Sequence, residues 1–371
     1  MDKLKRMILC AIPADACNLH CHYCYVSHRP IGKRQKANFI YQPDYVAKAF
    51  TKERLGGTCY FNFCADGETL MVKDIEAYMK AIVEEGHYIE IVTNMTITSV
   101  VNKILEWPSV ILKRTELKCS LHYLELKRMK MLELFAQNVS NAWAAGASAS
   151  IEITPSDELI PYIDDVITFS MDNFGALPQL TIARDDTTKD IDYLTKLTQN
   201  EYDRTWSVFD SPFWHFKQSI FKVKRKEFCY AGMFALFVNL TTGETGQCYK
   251  CNFYQNIFHD LAKPIRFLPI GRCLHPHCYN GHALLAMGNI PGKFNNVRFG
   301  SDIRNRIRTD GSHWLTDELC DFFDDRCDDN NPLLSKSQEL YFLMLGRLYG
   351  LMHSIKKVRR FCFKVARRLC L

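Results

Sequence analysis

The chain lacks any apolar run approaching the roughly 20 residues that a membrane-spanning helix requires, and no export signal is expected in its opening residues. Its opening residues, Met1-Asp2-Lys3-Leu4-Lys5-Arg6, are mostly charged, and the apolar stretch behind them, Met7-Ile8-Leu9-Cys10-Ala11-Ile12, is short. Without export a disulfide framework is not expected. The 16 cysteines are therefore expected reduced, in the cytoplasm, where metal ligation is the better use for so many thiols. A basic body is also missing. Net charge is +6, but Arg347, Lys356, Lys357, Arg359, Arg360, Lys364, Arg367 and Arg368 lie in a tail with no acidic residue, leaving −2 for the rest. A body of that charge gives nucleic acid little to hold, so no nucleic-acid partner is expected.

What is present is an ordinary globular composition, 47% hydrophobic and 24% charged over 371 residues, enough for one large α/β domain and a smaller one. Behind the first apolar run, strands are predicted at 58–64, 88–92, 117–121, 150–153 and 179–183. Helices are predicted at 43–54, 73–85, 98–107, 124–145 and 157–173. Six strand–helix alternations at roughly 30-residue spacing describe a parallel sheet, short of the eight units of a closed barrel. Ligands of such sheets sit at the C-terminal ends of the strands. A polar, basic link is expected at 27–36 and a closing helix at 194–221, interrupted at Pro212, with Trp206, Phe209, Phe213, Trp214 and Phe216 as core.

The densest chemistry lies in Ala16-Cys17-Asn18-Leu19-His20-Cys21-His22-Tyr23-Cys24-Tyr25, directly after the first strand. Thiolates spaced C-x3-C-x2-C on one loop can converge on three irons of a cubane cluster, leaving the fourth iron open to a small molecule. The competing use is a zinc knuckle with His20 or His22 as fourth ligand, although a second ligand pair is not nearby. With Tyr23 before the last cysteine, the loop resembles the signature of the radical S-adenosylmethionine (SAM) superfamily. The resemblance implies an open, partial (β/α)6 TIM barrel, expected over 1–226. It implies a [4Fe–4S] cluster on Cys17, Cys21 and Cys24, SAM chelated at the free iron, and a 5′-deoxyadenosyl radical that abstracts hydrogen from substrate. An electron donor such as flavodoxin or ferredoxin is implied with it. Ala65-Asp66-Gly67-Glu68-Thr69 is similar to the family's G-G-E-P motif, with Asp66 and Thr69 departing from it. By the same resemblance Tyr23, Gly67, Glu68, Asn94, Ser120 and Arg184 are the SAM-binding candidates.

From Glu227 the texture changes. Cys229, a hairpin turn at Thr241-Thr242-Gly243-Glu244, Cys248 and the later pair Cys273 and Cys278 bring four thiols within reach of a zinc ion or an Fe–S cluster. Cys251, His275 and His277 are rival ligands. The order Cys229-x13-Gly243-x4-Cys248 resembles the SPASM and twitch extensions of radical SAM enzymes. It implies a small twitch-like domain over 227–291 with an auxiliary [4Fe–4S] cluster on Cys229, Cys248, Cys273 and Cys278. The further cysteines of a full SPASM domain are absent. An extension over 292–371 follows, with an acidic stretch at 317–329 and a basic amphipathic tail.

The substrate implied by these relatives is a peptide or protein side chain that is oxidatively modified; the alternative is a sugar or lipid-linked glycan. The Cys loop starts within the first 20 residues, so a leader-binding winged helix ahead of it is not expected, and a separate chain would recognise a peptide. The tail is expected either to pack on the barrel or to hold the enzyme peripherally at the inner face of the membrane. Outside catalysis altogether, the cysteines would suit a zinc-binding interaction module.

Overall fold

A strand such as Cys-Tyr-Phe-Asn-Phe-Cys-Ala is too apolar to face water on either side, which favours a parallel sheet covered by helices. The computed structural model, which describes residues 2–26 and 35–345, builds such a sheet. Strands β1 (Arg6–Ile12), β2 (Cys59–Ala65), β3 (Tyr88–Thr93), β4 (Thr115–Ser120), β5 (Ser148–Ile153) and β6 (Gln179–Leu180) run parallel, in chain order. Helices Pro43–Ala49, Ile75–Glu84, Thr98–Leu105, Tyr123–Met129, Leu132–Ala144 and Ile163–Phe174 connect them. This is the α/β architecture of a partial barrel.

Three departures from the expected elements have local causes. The helix expected at 124–145 breaks where Lys130 turns left-handed, at φ 58°. The helix expected from Asp157 opens as a 3-10 turn, Asp157–Tyr162, because Pro161 has no N–H to donate. The sixth strand shrinks to two residues. The closing helix is interrupted at Pro212 as expected, with Pro212–Ile220 starting anew after Gln199–Trp206.

Beyond the short pair β7 (Arg184–Asp185) and β8 (Asp192–Tyr193), β9 (Phe228–Cys229) leads to β10 (Ala235–Asn239), β11 (Glu244–Gly246), β12 (Gln255–Asn256) and β13 (Gly271–Arg272). The hairpin forms, but it is not a separate sheet beside the barrel. β10 pairs parallel with β1, from Met7↔Ala235 to Ala11↔Asn239, and extends the barrel sheet to nine strands. Gly243 makes the turn possible: its φ is +80°, and a Cβ there would lie 2.4 Å from the Phe258 ring.

The acidic stretch at 317–329 does more than face solvent. Thr316 caps helix Asp317–Asp324, which buries Leu319, Phe322 and Phe323, with Phe322 stacked 3.8 Å from Tyr88. The basic tail from Arg347 and most of the link, 27–34, lie outside the described residues. Among the described residues no helix is long and apolar enough to cross a membrane.

The alternation of the strands sets the chemistry of the interior. Phe61, Phe63, Ile89, Ile91, Leu117, Cys119, Ile151 and Ile153 belong to the main apolar core. Their neighbours in the strands, Asn62, Cys64, Glu90, Lys118, Ser120 and Glu152, line a cavity of about 880 Å³ inside the barrel. Side chains two apart share a sheet face, so each strand gives one face to packing and the other to the cavity.

Candidate functional site

The Cys loop leaves β1 and lies across the mouth of this cavity, with Cys17, Cys21 and Cys24 all among its lining residues. Backbone hydrogen bonds shape it: the Cys24 N–H donates to the Cys21 carbonyl at 3.1 Å, and the Leu19 N–H donates to Cys17 Sγ at 3.4 Å. Burial, followed by the charges of Cys17 and Cys24, pushes the Cys21 thiol up to about 12. Cys17 is raised by burial and, more weakly, by Glu68 and Cys24. Thiols that resist ionisation in this way are relieved by a cation held between them. The donor set therefore fits an Fe–S cluster on this loop, although among the described residues no three His, Cys, Asp or Glu side chains are grouped as a ready-made metal site. Of the two loop histidines, His22 is already engaged. His22 Nε2 lies 2.9 Å from both Ser156 Oγ and Glu158 Oε2, and His20 is exposed.

Asp66, Gly67 and Glu68 continue the β1–β2 ladder beneath the loop. Their N–H groups donate to the carbonyls of Ile12, Ala14 and Ala16 at 3.3, 2.7 and 2.9 Å. A Cβ on Gly67 would lie 2.1 Å from the Ala16 carbonyl oxygen, so only glycine allows this approach. The Glu68 carboxylate is buried and fully engaged. It accepts from the Leu70 N–H at 2.9 Å, the Thr93 hydroxyl at 2.7 Å and the Asn94 N–H at 2.7 Å. Asn94 in turn donates from Nδ2 to Asn18 Oδ1 at 2.9 Å and stands 4.0 Å from Cys17 Sγ. Glu68 and Asn94 therefore tie the ends of β2 and β3 to the Cys loop.

The remaining candidates line the same cavity in different ways. Tyr23 OH lies 2.7 Å from Nδ1 of His122, an imidazole that burial pushes down to about 4 and so keeps neutral. Ser120 is at the C-terminal end of β4. The Arg184 guanidinium donates to Asp186 at 2.8 Å and stacks 4.0 Å from the Tyr25 ring and 5.2 Å from the Tyr279 ring. It links the Cys loop to the chain that carries Cys278.

The floor of the cavity was not anticipated from sequence. Buried Arg304 donates to Glu116 at 2.8 Å and pairs with Glu152 at 3.4 Å and Glu90 at 3.6 Å, while Lys118 meets Glu152 at 3.1 Å. The available signal was one charge inside an otherwise apolar strand, as in Tyr88-Ile89-Glu90-Ile91-Val92 and Ser150-Ile151-Glu152-Ile153.

The cysteines of the second group feel one another's charge, although among the described residues no three of them form a ready-made metal site. Cys229 is pushed up to about 12 by burial, with Cys278, Cys273 and Cys251 as neighbouring charges. Burial, then Cys251, Cys229 and Cys278, raises Cys248 well above its usual range. Cys251 acts on both Cys229 and Cys248 as a further charge nearby. His277 Nε2 is engaged by the Asp190 carbonyl at 2.8 Å, and the His275 carbonyl accepts from Lys224.

Residues 11–114 match the family described as the Radical SAM superfamily. That span includes the Cys loop and the Glu68–Asn94 contacts. Among solved structures the chain is similar to Streptococcus suis SuiB bound to S-adenosylmethionine, at 14% identity and a TM-score of 0.48, over 70% of this chain and 64% of that one. It is also similar to anSMEcpe with bound AdoMet (14%, 0.48, 70% and 80%) and to BtrN in complex with AdoMet and 2-DOIA (12%, 0.33, 70% and 84%). The chain thus covers less than two thirds of SuiB. No curated protein matches it.

Proposed function

We propose that the chain is a radical SAM enzyme that oxidatively modifies a peptide or protein side chain. The observation that carries this reading is the placement of Cys17, Cys21 and Cys24 on one loop over the cavity, at the C-terminal ends of six parallel strands. When bound, a [4Fe–4S] cluster on these thiolates and SAM would supply a 5′-deoxyadenosyl radical. The chain's own residues position the parts. Glu68, Gly67 and Asn94 fix the loop, Tyr23 and His122 brace its far side, and Ser120 lines the same wall of the cavity.

Cys229, Cys248, Cys273 and Cys278, with Cys251 beside them, would hold an auxiliary cluster of the twitch type, joined to the core through Arg184 and Tyr279. A one-electron donor such as flavodoxin or ferredoxin, in the reducing cytoplasm, is the partner this chemistry needs. The test is to incubate anaerobically prepared protein with SAM and dithionite and to measure 5′-deoxyadenosine. Its formation, with iron in the protein, is expected. Zinc without iron and no 5′-deoxyadenosine would instead favour a zinc-binding interaction module.

A further inference from the structure

One charge in the cavity floor lacks the partner that its burial calls for. Lys217, on helix Pro212–Ile220, lines the cavity and is 4% exposed. Its ammonium donates to the neutral Thr181 hydroxyl at 2.7 Å. Among the described residues no carboxylate stands within ion-pairing distance of it. Glu152, the acid whose charge reaches it, is already paired to Lys118 and Arg304. Burial above all, with Lys118, Arg184 and Arg304, pushes Lys217 down to about 7. His282 lines the cavity as well; it is 8% exposed, and its Nδ1 has no hydrogen-bond partner. A buried ammonium without a counter-ion is costly, and such groups concentrate where something is bound.

We propose that Lys217, with the Thr181 hydroxyl and the His282 imidazole, seats a carboxylate of the substrate. The pattern of ion pairs selects the class. Arg184 has Asp186, and Arg304 has Glu116, Glu152 and Glu90. Lys118 has Glu152, so Lys217 alone of these four cations meets a neutral hydroxyl where the others meet a carboxylate. A carboxylate brings the missing ion-pair partner and two acceptor oxygens, one for the ammonium and one for an imidazole N–H. The substrate it fits bears a free carboxylate, such as an acidic side chain or the C-terminus of a peptide.

The inference rests on the reading of this cavity as the substrate site of the proposed enzyme. Its test compares butyrate with butyramide, a neutral probe of the same size, by ligand-observed NMR on the full-length protein. Butyrate is expected to bind about tenfold or more tightly than butyramide. Lys217→Met, close to Lys in size and apolar, is expected to abolish that preference. Equal affinity for the two probes in the wild-type protein, or a preference that persists in Lys217→Met, would overturn the seat. If the variant does not fold, the wild-type comparison still decides. Equal affinities in protein that makes 5′-deoxyadenosine overturn the seat and leave the enzyme reading standing. A clear preference in iron-loaded protein that makes none does the reverse.

Discussion

Single residues hold the candidate site together, and two of them give direct tests. Removing the carboxylate in Glu68→Ala leaves the Leu70 and Asn94 N–H groups and the Thr93 hydroxyl without their buried acceptor. A loss of about 3 kcal/mol in denaturant unfolding is expected. His87 reports on the packing beneath. It is fully buried, its Nε2 meets the Phe50 carbonyl at 2.6 Å, and its Nδ1 accepts from the Cys59 N–H at 3.1 Å. Burial pushes its pKa down to about 4. The unfolded chain takes up a proton on this group near pH 6.5, and the folded chain does not until about 4. Stability is therefore complete above that window and falls as pH drops through it, by roughly 3 kcal/mol in all. Thermal melts from about pH 7 to about pH 4 should show this loss, and His87→Gln should remove its share. The Cys loop could be read from spacing, because ligand geometry constrains sequence locally. Lys217, His282 and Arg304 could not, since their meeting depends on chain segments brought together only by the fold.

At the scale of elements, strand order followed from the sequence because each apolar run was bounded by turns and separated by a helical stretch. What was missed depends on long-range pairing. The hydrophobicity of Ala235–Asn239 marks a strand but does not say which edge it joins; that it continues the sheet beside β1 is settled by register. The same limit applied to Glu90, Lys118 and Glu152, which lie within strands whose single charges were given no role. The contact between the turn after β2 and the Cys loop is the element-level feature most open to test. In Gly67→Ala a Cβ would meet backbone, the Ala16 carbonyl, and so cannot be accommodated by a side-chain rotation. The variant is expected to lose about 1–3 kcal/mol and to bind less iron than wild type. Normal stability together with full iron loading would show that this approach is looser than described.

Over the whole molecule, the C-terminal part completes the barrel rather than decorating it. β10 continues the sheet from β1, and Arg304, from a segment nearly two hundred residues beyond β4, neutralises the carboxylates of the floor. Arg304→Met would leave Glu90, Glu116 and Glu152 without their shared counter-ion. A loss of about 3–5 kcal/mol in denaturant unfolding is expected, far more than an exposed ion pair would give. The same continuity brings the second cysteine group to the side of the cavity, so that two clusters would share one scaffold. Iron content tests that central claim most directly. Anaerobically reconstituted wild-type protein should hold about eight irons, and the triple variant Cys17→Ala, Cys21→Ala, Cys24→Ala about four, from the auxiliary site alone. An iron content unchanged by the triple substitution would contradict the account.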